Sequence, residues 1–214
     1  MKVNNLQELL IDELKDILNA ETQLTKALPK LAKQCDSEEL RMALEEHLEQ
    51  TKTQKDRVES ILTELTGSAR GKTCKGMQGI IEEGNEMLDE IEDADTTDAA
   101  IIAACQKVEH YEMASYGCAR TWARNLGLDD VADQLQEILD EEGEADKKLT
   151  VIAESFANKE AAEGEDEGEE SGMEESEDEE TRQTAGVRGR SQGSTSKGRN
   201  ATQATRSRKT RTTA

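Results

Sequence analysis

The chain has 214 residues, with 48 acidic and 27 basic side chains and a net charge of −21 at pH 7. Only 2% of its residues are aromatic and β-branched runs are few, which argues against a β-sheet protein. No segment approaches the roughly 18 to 20 apolar residues of a membrane span, and no apolar signal segment follows Met1. We therefore expect no membrane contact and a cytoplasmic protein.

The charge divides the chain into three regions. Residues 1–157 carry 17 basic and 35 acidic side chains, residues 158–180 carry one and 13, and residues 181–214 carry nine and none. After Phe156 the large apolar residues are Met173 and Val187, which is too little apolar surface to offset the entropy of ordering. We predict one folded domain over residues 1–157, an acidic disordered linker over 158–180 and a basic disordered tail over 181–214.

Four long amphipathic helices are predicted in the folded domain. The first ends near Leu31 and repeats apolar residues at steps of four and three, with one gap at position 21: Leu10, Leu14, Ile17, Leu24, Leu28 and Leu31. Ser37 is a candidate N-cap for a second helix over residues 38–65. A shorter helix is expected over 77–92, and two long ones follow over 99–126, with Asp98 as N-cap, and over 129–157.

The connections between these helices indicate the architecture. Short turns join the first helix to the second and the third long helix to the fourth, whereas the middle connection contains a helix of its own. Two hairpins joined by one long crossover are typical of ferritin-like bundles. The sequence therefore predicts an all-α, ferritin-like antiparallel four-helix bundle with a short fifth helix in the crossover.

Each long helix places one metal-binding type of side chain on its apolar face. At about 100° per residue, Glu21, Glu112 and Glu142 fall where the pattern of their helices calls for an apolar residue, and His47 does so in the second helix. Glu49 points away from that face, and His110 lies off the apolar stripe of its helix. Any single one of these side chains could be a half-solvated edge residue, and His47 could be a hydrogen-bonded core histidine.

Taken together, the inward carboxylates predict bound cations. Unpaired buried carboxylates repel one another, and oxygen ligands with an imidazole suit Fe²⁺ or Mn²⁺. We predict Glu21, His47, Glu112 and Glu142 as metal ligands, with Glu109 and Asp146 as second candidates because each lies one turn from a predicted ligand. A complete site would hold two iron or manganese ions per subunit.

Several segments resemble the YciE/YciF family of ferritin-like bacterial stress proteins. The similar segments are NAETQL at 19–24, ALPKLA at 27–32, HLEQT at 47–51, KTCKGM at 72–77, QKVEHYE at 106–112 with SYG at 115–117, and residues 141–142 with 146–149. The resemblance covers about residues 3–157. It implies a five-helix subunit that forms a homodimer, with a di-metal centre at Glu21, His47, Glu112 and Glu142. Ala145 stands three residues after Glu142, where ferritin-like sites usually have His, so one ion or an asymmetric pair is an alternative.

Two functions follow as hypotheses. The first is an oxidoreductase whose metal ions react with dioxygen or peroxide, as in a ferroxidase or a peroxidase. The second is a non-enzymatic dimeric scaffold of the stress response. The basic tail could contact nucleic acid through phosphates, without sequence specificity because it has no aromatic residue for base stacking.

Overall fold

The computed structural model describes residues 3–163, and this part of the chain is helical without a β-strand. The long helices are α1 (Leu6–Leu31), α2 (Glu38–Thr66), α4 (Ala94–Asn125) and α5 (Asp129–Ile152). The shorter α3 (Lys75–Asp89) lies in the crossover between α2 and α4. A π-helical turn (Ala153–Ala157) and the short α6 (Asn158–Glu163) follow α5. None of the helices in the described range is both long and apolar enough to span a bilayer.

Side chains cap the first two helices, the second of them at the predicted position, Ser37. The Asn5 side chain accepts a hydrogen bond from the Glu8 backbone N–H at 2.8 Å, and Ser37 accepts one from Leu40 at the start of α2. The prediction that Asp98 caps the third long helix is wrong, because α4 begins earlier and Asp93 caps it by accepting from Thr96 at 2.7 Å. Local sequence did not separate these two aspartates, since both have the chemistry of an N-cap.

Asp98 instead joins the beginnings of two helices. Its buried carboxylate accepts hydrogen bonds from the backbone N–H groups of Asp36 at 3.0 Å and Ser37 at 2.8 Å. The first turns of α4 therefore lie beside the start of α2. Since α2 and α4 start side by side and both run from one end of the bundle to the other, they are parallel. Short turns make α1 antiparallel to α2 and α5 antiparallel to α4. This is the predicted ferritin-like connectivity, and the fold prediction is confirmed.

The apolar core is divided into two clusters along the bundle. Cluster I lies at the end where α4 turns into α5, and includes Leu10, Leu14, Val58, Ala119, Leu135 and Ile138. Cluster II lies at the other end, where α3 joins the packing, and includes Leu24, Leu28, Leu44, Met77, Ile101 and Ile152. The four long helices pass through both clusters. Between the clusters each helix contributes polar side chains, which form the middle layer of the bundle.

The helical part of the chain extends past the predicted end of the folded domain. The bundle was expected to stop at residue 157, but α6 continues to Glu163. Residues 158–163 are therefore helical rather than part of a linker. The rest of the predicted acidic linker, residues 164–180, and the predicted basic tail, residues 181–214, lie outside the described residues.

Candidate metal centre

The middle layer consists of buried polar residues at the points where each helix passes from one apolar cluster to the other. In α1, Glu21 follows Ile17 of cluster I and precedes Leu24 of cluster II. The other helices repeat this arrangement. The buried polar residues of the layer are Glu21, His47, Thr51, Gln54, Glu109, Glu112, Ser115 and Glu142. The prediction that Glu21, His47, Glu112 and Glu142 face the bundle interior is therefore confirmed.

Four of these side chains converge on one point. His47, Glu109, Glu112 and Glu142 each offer one ligand atom, and these atoms all lie within 4.8 Å of one another. The His47 Nε2 atom is 3.1 Å from Glu109 Oε1. The group draws on α2, α4 and α5, and the spacing of Glu109 and Glu112 places both on one side of α4. Its four ligand atoms can hold a metal ion.

Glu21 lies beside this group of four and is held from another direction. The Tyr116 hydroxyl donates a hydrogen bond to Glu21 Oε1, and both side chains are fully buried. The second oxygen, Oε2, has no hydrogen-bond partner. Glu21 is close enough to interact electrostatically with His47 and Glu109. It therefore adds a fourth buried carboxyl group to the layer, with one oxygen free to act as a ligand.

Burial makes the ionised carboxylates unfavourable. Desolvation raises the pKa of Glu21 to about 7, against the opposing effect of the Tyr116 hydrogen bond. Desolvation also raises the pKa of Glu112 well above its usual range, and the charges of Glu21 and Glu142 add to this effect. The pKa of Glu142 is raised well above its usual range by desolvation and by the charges of Glu109 and Glu21. Without a cation, burial and mutual repulsion therefore favour the protonated form of these three carboxyl groups more than water does.

His47 responds in the opposite way to its acidic neighbours. Burial lowers the pKa of His47. The nearby carboxyl groups of Glu109 and Glu21 have a larger combined effect in the other direction and raise this pKa above its ordinary value. The layer therefore favours positive charge at its centre. A divalent cation supplies this charge without a proton, and carboxylate oxygens with an imidazole nitrogen are ligands that iron and manganese accept.

The hydrogen bonding of the layer fits a bound ion. Buried polar atoms normally have partners, yet several in this layer have none: Glu21 Oε2, Glu109 Oε2, Glu112 Oε1, both carboxyl oxygens of Glu142 and both ring nitrogens of His47. His47 Nε2 and Glu109 Oε1 are 3.1 Å apart, close enough for one ion to contact both atoms. Unpaired carboxyl oxygens and ring nitrogens beside one another are a suitable ligand set for a metal, so the residues fit the predicted ion.

The structure separates the two second candidates. Glu109 is part of the converging group and contacts His47, whereas Asp146 is not a member of the group. Asp146 lies 3.3 Å from His110, which is 66% exposed, and it accepts a hydrogen bond from Gln106. Glu49 is exposed and pairs with Lys52, consistent with its predicted outward direction.

Three residues that influence the layer were not among the sequence candidates. Tyr116 holds Glu21, and its position four residues after Glu112 on the same helix face was the available signal. Arg57 pairs with Glu141 at the edge of the bundle and lowers the pKa of Glu21 by its charge. Gln54 donates a hydrogen bond to the same Glu141 at 3.0 Å. Arg57 lies at the rim of its helix face, where a periodic pattern carries little information.

The chain is similar to a described protein family and to a protein of Escherichia coli. Residues 5–162 match a family described as a domain of unknown function, DUF892. Protein YciF of Escherichia coli (strain K12) is 42% identical over 162 residues, which cover 75% of this chain and 98% of that protein. The residues that match the family, 5–162, include every residue of the middle layer.

Solved structures show the same fold. The Escherichia coli stress protein YciF superposes with a TM-score of 0.70 at 41% identity, covering 73% of this chain and 99% of that one. YcfI from Rhodopseudomonas palustris, described as a candidate structural protein, has a TM-score of 0.68 at 40% identity, with 70% and 95% covered. A protein from Xanthomonas campestris, at 22% identity, shares the fold with a TM-score of 0.59 and coverage of 75% and 99%.

Proposed function

The chain belongs to the YciF-like family described as DUF892, and on that premise we propose that it is a metal-dependent stress protein that reacts with dioxygen or peroxide. The observation that carries this proposal is the convergence of four buried ligand atoms within 4.8 Å in a layer whose carboxyl and imidazole atoms lack partners. A reduced pair of iron or manganese ions, when bound, supplies the electrons for a ferroxidase- or peroxidase-like reaction.

The residues of the layer have distinct roles in this proposal. His47 would supply an imidazole nitrogen to a bound ion, and Glu109, Glu112 and Glu142 would each supply a carboxylate oxygen. Glu21, whose Oε2 has no hydrogen-bond partner, would be the further ligand available to a second ion. The Tyr116 hydroxyl fixes the orientation of Glu21. Clusters I and II exclude water above and below the layer, which strengthens the electrostatic interaction of each carboxylate with a cation.

The direct test is metal content followed by oxidation kinetics. Protein purified without a metal-affinity step should contain iron or manganese in stoichiometric amount, and Fe²⁺ added to metal-free protein should be oxidised rapidly in a stopped-flow experiment. His47→Ala should abolish both properties, whereas His110→Ala should retain them because His110 is 66% exposed and outside the group of four. Equal behaviour of the two variants would contradict the proposal.

Glu21→Ala tests how many ions the layer holds. This substitution should abolish tight metal binding while the helical content measured by circular dichroism stays largely unchanged, because an apolar residue suits the position between Ile17 and Leu24. Unchanged metal affinity in this variant would remove Glu21 from the site and leave the group of four as a single-ion site.

A second candidate function is a non-enzymatic dimeric scaffold. It is favoured by the description of the Rhodopseudomonas palustris relative and by the raised pKa values of Glu112 and Glu142, which allow the layer to persist as neutral carboxylic acids. In this proposal the homodimer and the basic tail, in contact with nucleic acid, provide the function. Purified protein would then contain no metal, and a chelator would leave its unfolding free energy unchanged.

A further inference from the structure

An opening between α2 and α5 leads from the surface to two members of the group of four. It encloses about 520 Å³ of space that is continuous with solvent, and His47 and Glu109 lie on its floor. Its wall has an apolar part and a polar part. Gln50, Glu46, Glu144 and Lys148 form the polar part, and the last three are exposed at the surface; the apolar part consists of Ala43, Leu44, Ala145 and Leu149. The opening therefore connects two buried members of the candidate metal centre with exposed charged side chains.

We propose that this opening is the route by which a divalent cation enters the centre, and that the charges at its mouth control the rate of entry. The inference rests on the proposed function, since it requires that the layer binds a metal. It adds a role for three side chains that are not ligands: Glu46, Glu144 and Lys148.

The chemistry of the wall suits a hydrated cation. Glu46 and Glu144 attract positive charge at the mouth, and the Gln50 side chain can replace water ligands along the wall. Lys148 opposes entry by its own charge. It also forms an ion pair with Glu46 that spans the mouth from α5 to α2 and neutralises one of the two attracting groups. Glu144 is then the acidic side chain of the wall without this neutralising partner.

A second cleft reaches Glu109 from the other side of α4 and differs in character. It lies between α1, α3 and α4, and its wall is mainly apolar: Leu24, Leu28, Leu31, Ile80, Ile81 and Val108. Apolar walls cannot replace the water ligands that a divalent cation loses on entry, and the charge of Lys30 in this wall repels it. The opening between α2 and α5 is therefore the favoured path for a cation.

Rapid mixing of the metal-free full-length protein with Co²⁺ tests the route, with binding followed by the visible absorption of the bound ion. Lys148→Glu removes a positive charge, adds a negative one and releases Glu46, so the association rate constant should rise, by up to about 10-fold at low ionic strength. Glu144→Lys should lower it by a similar factor. Both differences should shrink at 0.5 M salt, because charges at the mouth are screened there.

Lys147→Glu is the matched control. Lys147 is the exposed neighbour of Lys148 on α5, outside the wall of the opening, and its substitution changes the net charge of the chain by the same amount. It should raise the rate much less than Lys148→Glu. Equal rates in these two variants, or a shift in the same direction for Lys148→Glu and Glu144→Lys, would overturn the route while leaving metal binding in place. A wild-type protein that binds no Co²⁺ would overturn both the route and the proposed function.

Discussion

The two apolar clusters and the middle layer are built from the same four helices, but they differ in what stabilises their side chains. In cluster I, residues such as Leu14 are completely buried among apolar neighbours, and removal from water stabilises them directly. In the middle layer, Glu142 is equally buried, yet neither of its carboxyl oxygens has a hydrogen-bond partner. Burial therefore stabilises one region and destabilises the other.

This difference separates stability from function within one bundle. The clusters hold the helices in position, and this allows the layer to keep carboxyl groups together that would otherwise move apart or into water. Buried polar groups without hydrogen-bond partners are expected at functional sites, where a bound ligand supplies the missing interactions. Substitutions in the clusters and in the middle layer should therefore change the free energy of unfolding in opposite directions.

The largest effect is expected in cluster I. Leu14→Ala should lower the free energy of unfolding by about 2 to 5 kcal/mol, because it removes a fully buried side chain and leaves a cavity. Chemical denaturation followed by circular dichroism measures this change. Met42→Ala is the control: Met42 is 61% exposed, and its substitution should change the value by less than about 0.5 kcal/mol. Equal losses in the two variants would show that Leu14 does not contribute through burial.

The next effect has the opposite sign and lies in the middle layer. Glu142→Leu should raise the unfolding free energy of the metal-free protein, by about 1 to 4 kcal/mol, because an apolar side chain replaces a buried group without partners. The same substitution should abolish tight metal binding, measured by titration calorimetry. Glu64→Leu, at an exposed position of α2, should do neither. A destabilised metal-free Glu142→Leu protein would mean that this carboxyl group is already satisfied in the fold.

The smallest effect is a dependence of the unfolding free energy on pH, whose direction should differ between the metal-free and the metal-bound protein. The pKa of Glu21 is about 7 in the folded protein, against 4.5 as its ordinary value, so between these pH values the folded state holds a proton that the unfolded state has lost. The unfolding free energy of metal-free protein should therefore fall as pH rises from 5 to 7, and Glu21 should contribute at most about 1 kcal/mol per pH unit to this fall. The raised pKa values of Glu112 and Glu142 act in the same direction.

Saturating Mn²⁺ should reverse this trend, because ligand carboxylates are already ionised and metal affinity rises as protons leave. Denaturation curves at pH 5, 6 and 7, with chelator or with Mn²⁺, measure both cases. The surface carboxylates Glu46 and Asp93, whose pKa values are lowered by Lys148 and by Thr96, should not contribute, since they change protonation below this range. A flat metal-free profile would contradict the description of the layer as protonated.

Most of the fold could be predicted from periodicity alone. A four-and-three repeat such as Leu10, Leu14 and Ile17 fixes the direction of the apolar face. The lengths of the helices and of the turns between them then indicate which helices pair as antiparallel hairpins. The errors were at element ends. Asp93 and Asp98 are chemically equal as N-caps, and Asp93 is the one that caps α4. Asp98 instead accepts hydrogen bonds from the backbone N–H groups of Asp36 and Ser37, which are 62 and 61 residues away in the sequence.

The sequence by itself determined that Glu21, His47, Glu112 and Glu142 point into the bundle, because direction around a helix depends only on residue spacing. The tertiary structure decided which carboxyl groups meet. In the folded protein Glu109 contacts His47, Glu21 accepts a hydrogen bond from Tyr116, and Asp146 lies beside His110. The physical reason is that spacing does not define how far one helix is displaced along its neighbour, and that displacement decides which side chains come within reach of one ion.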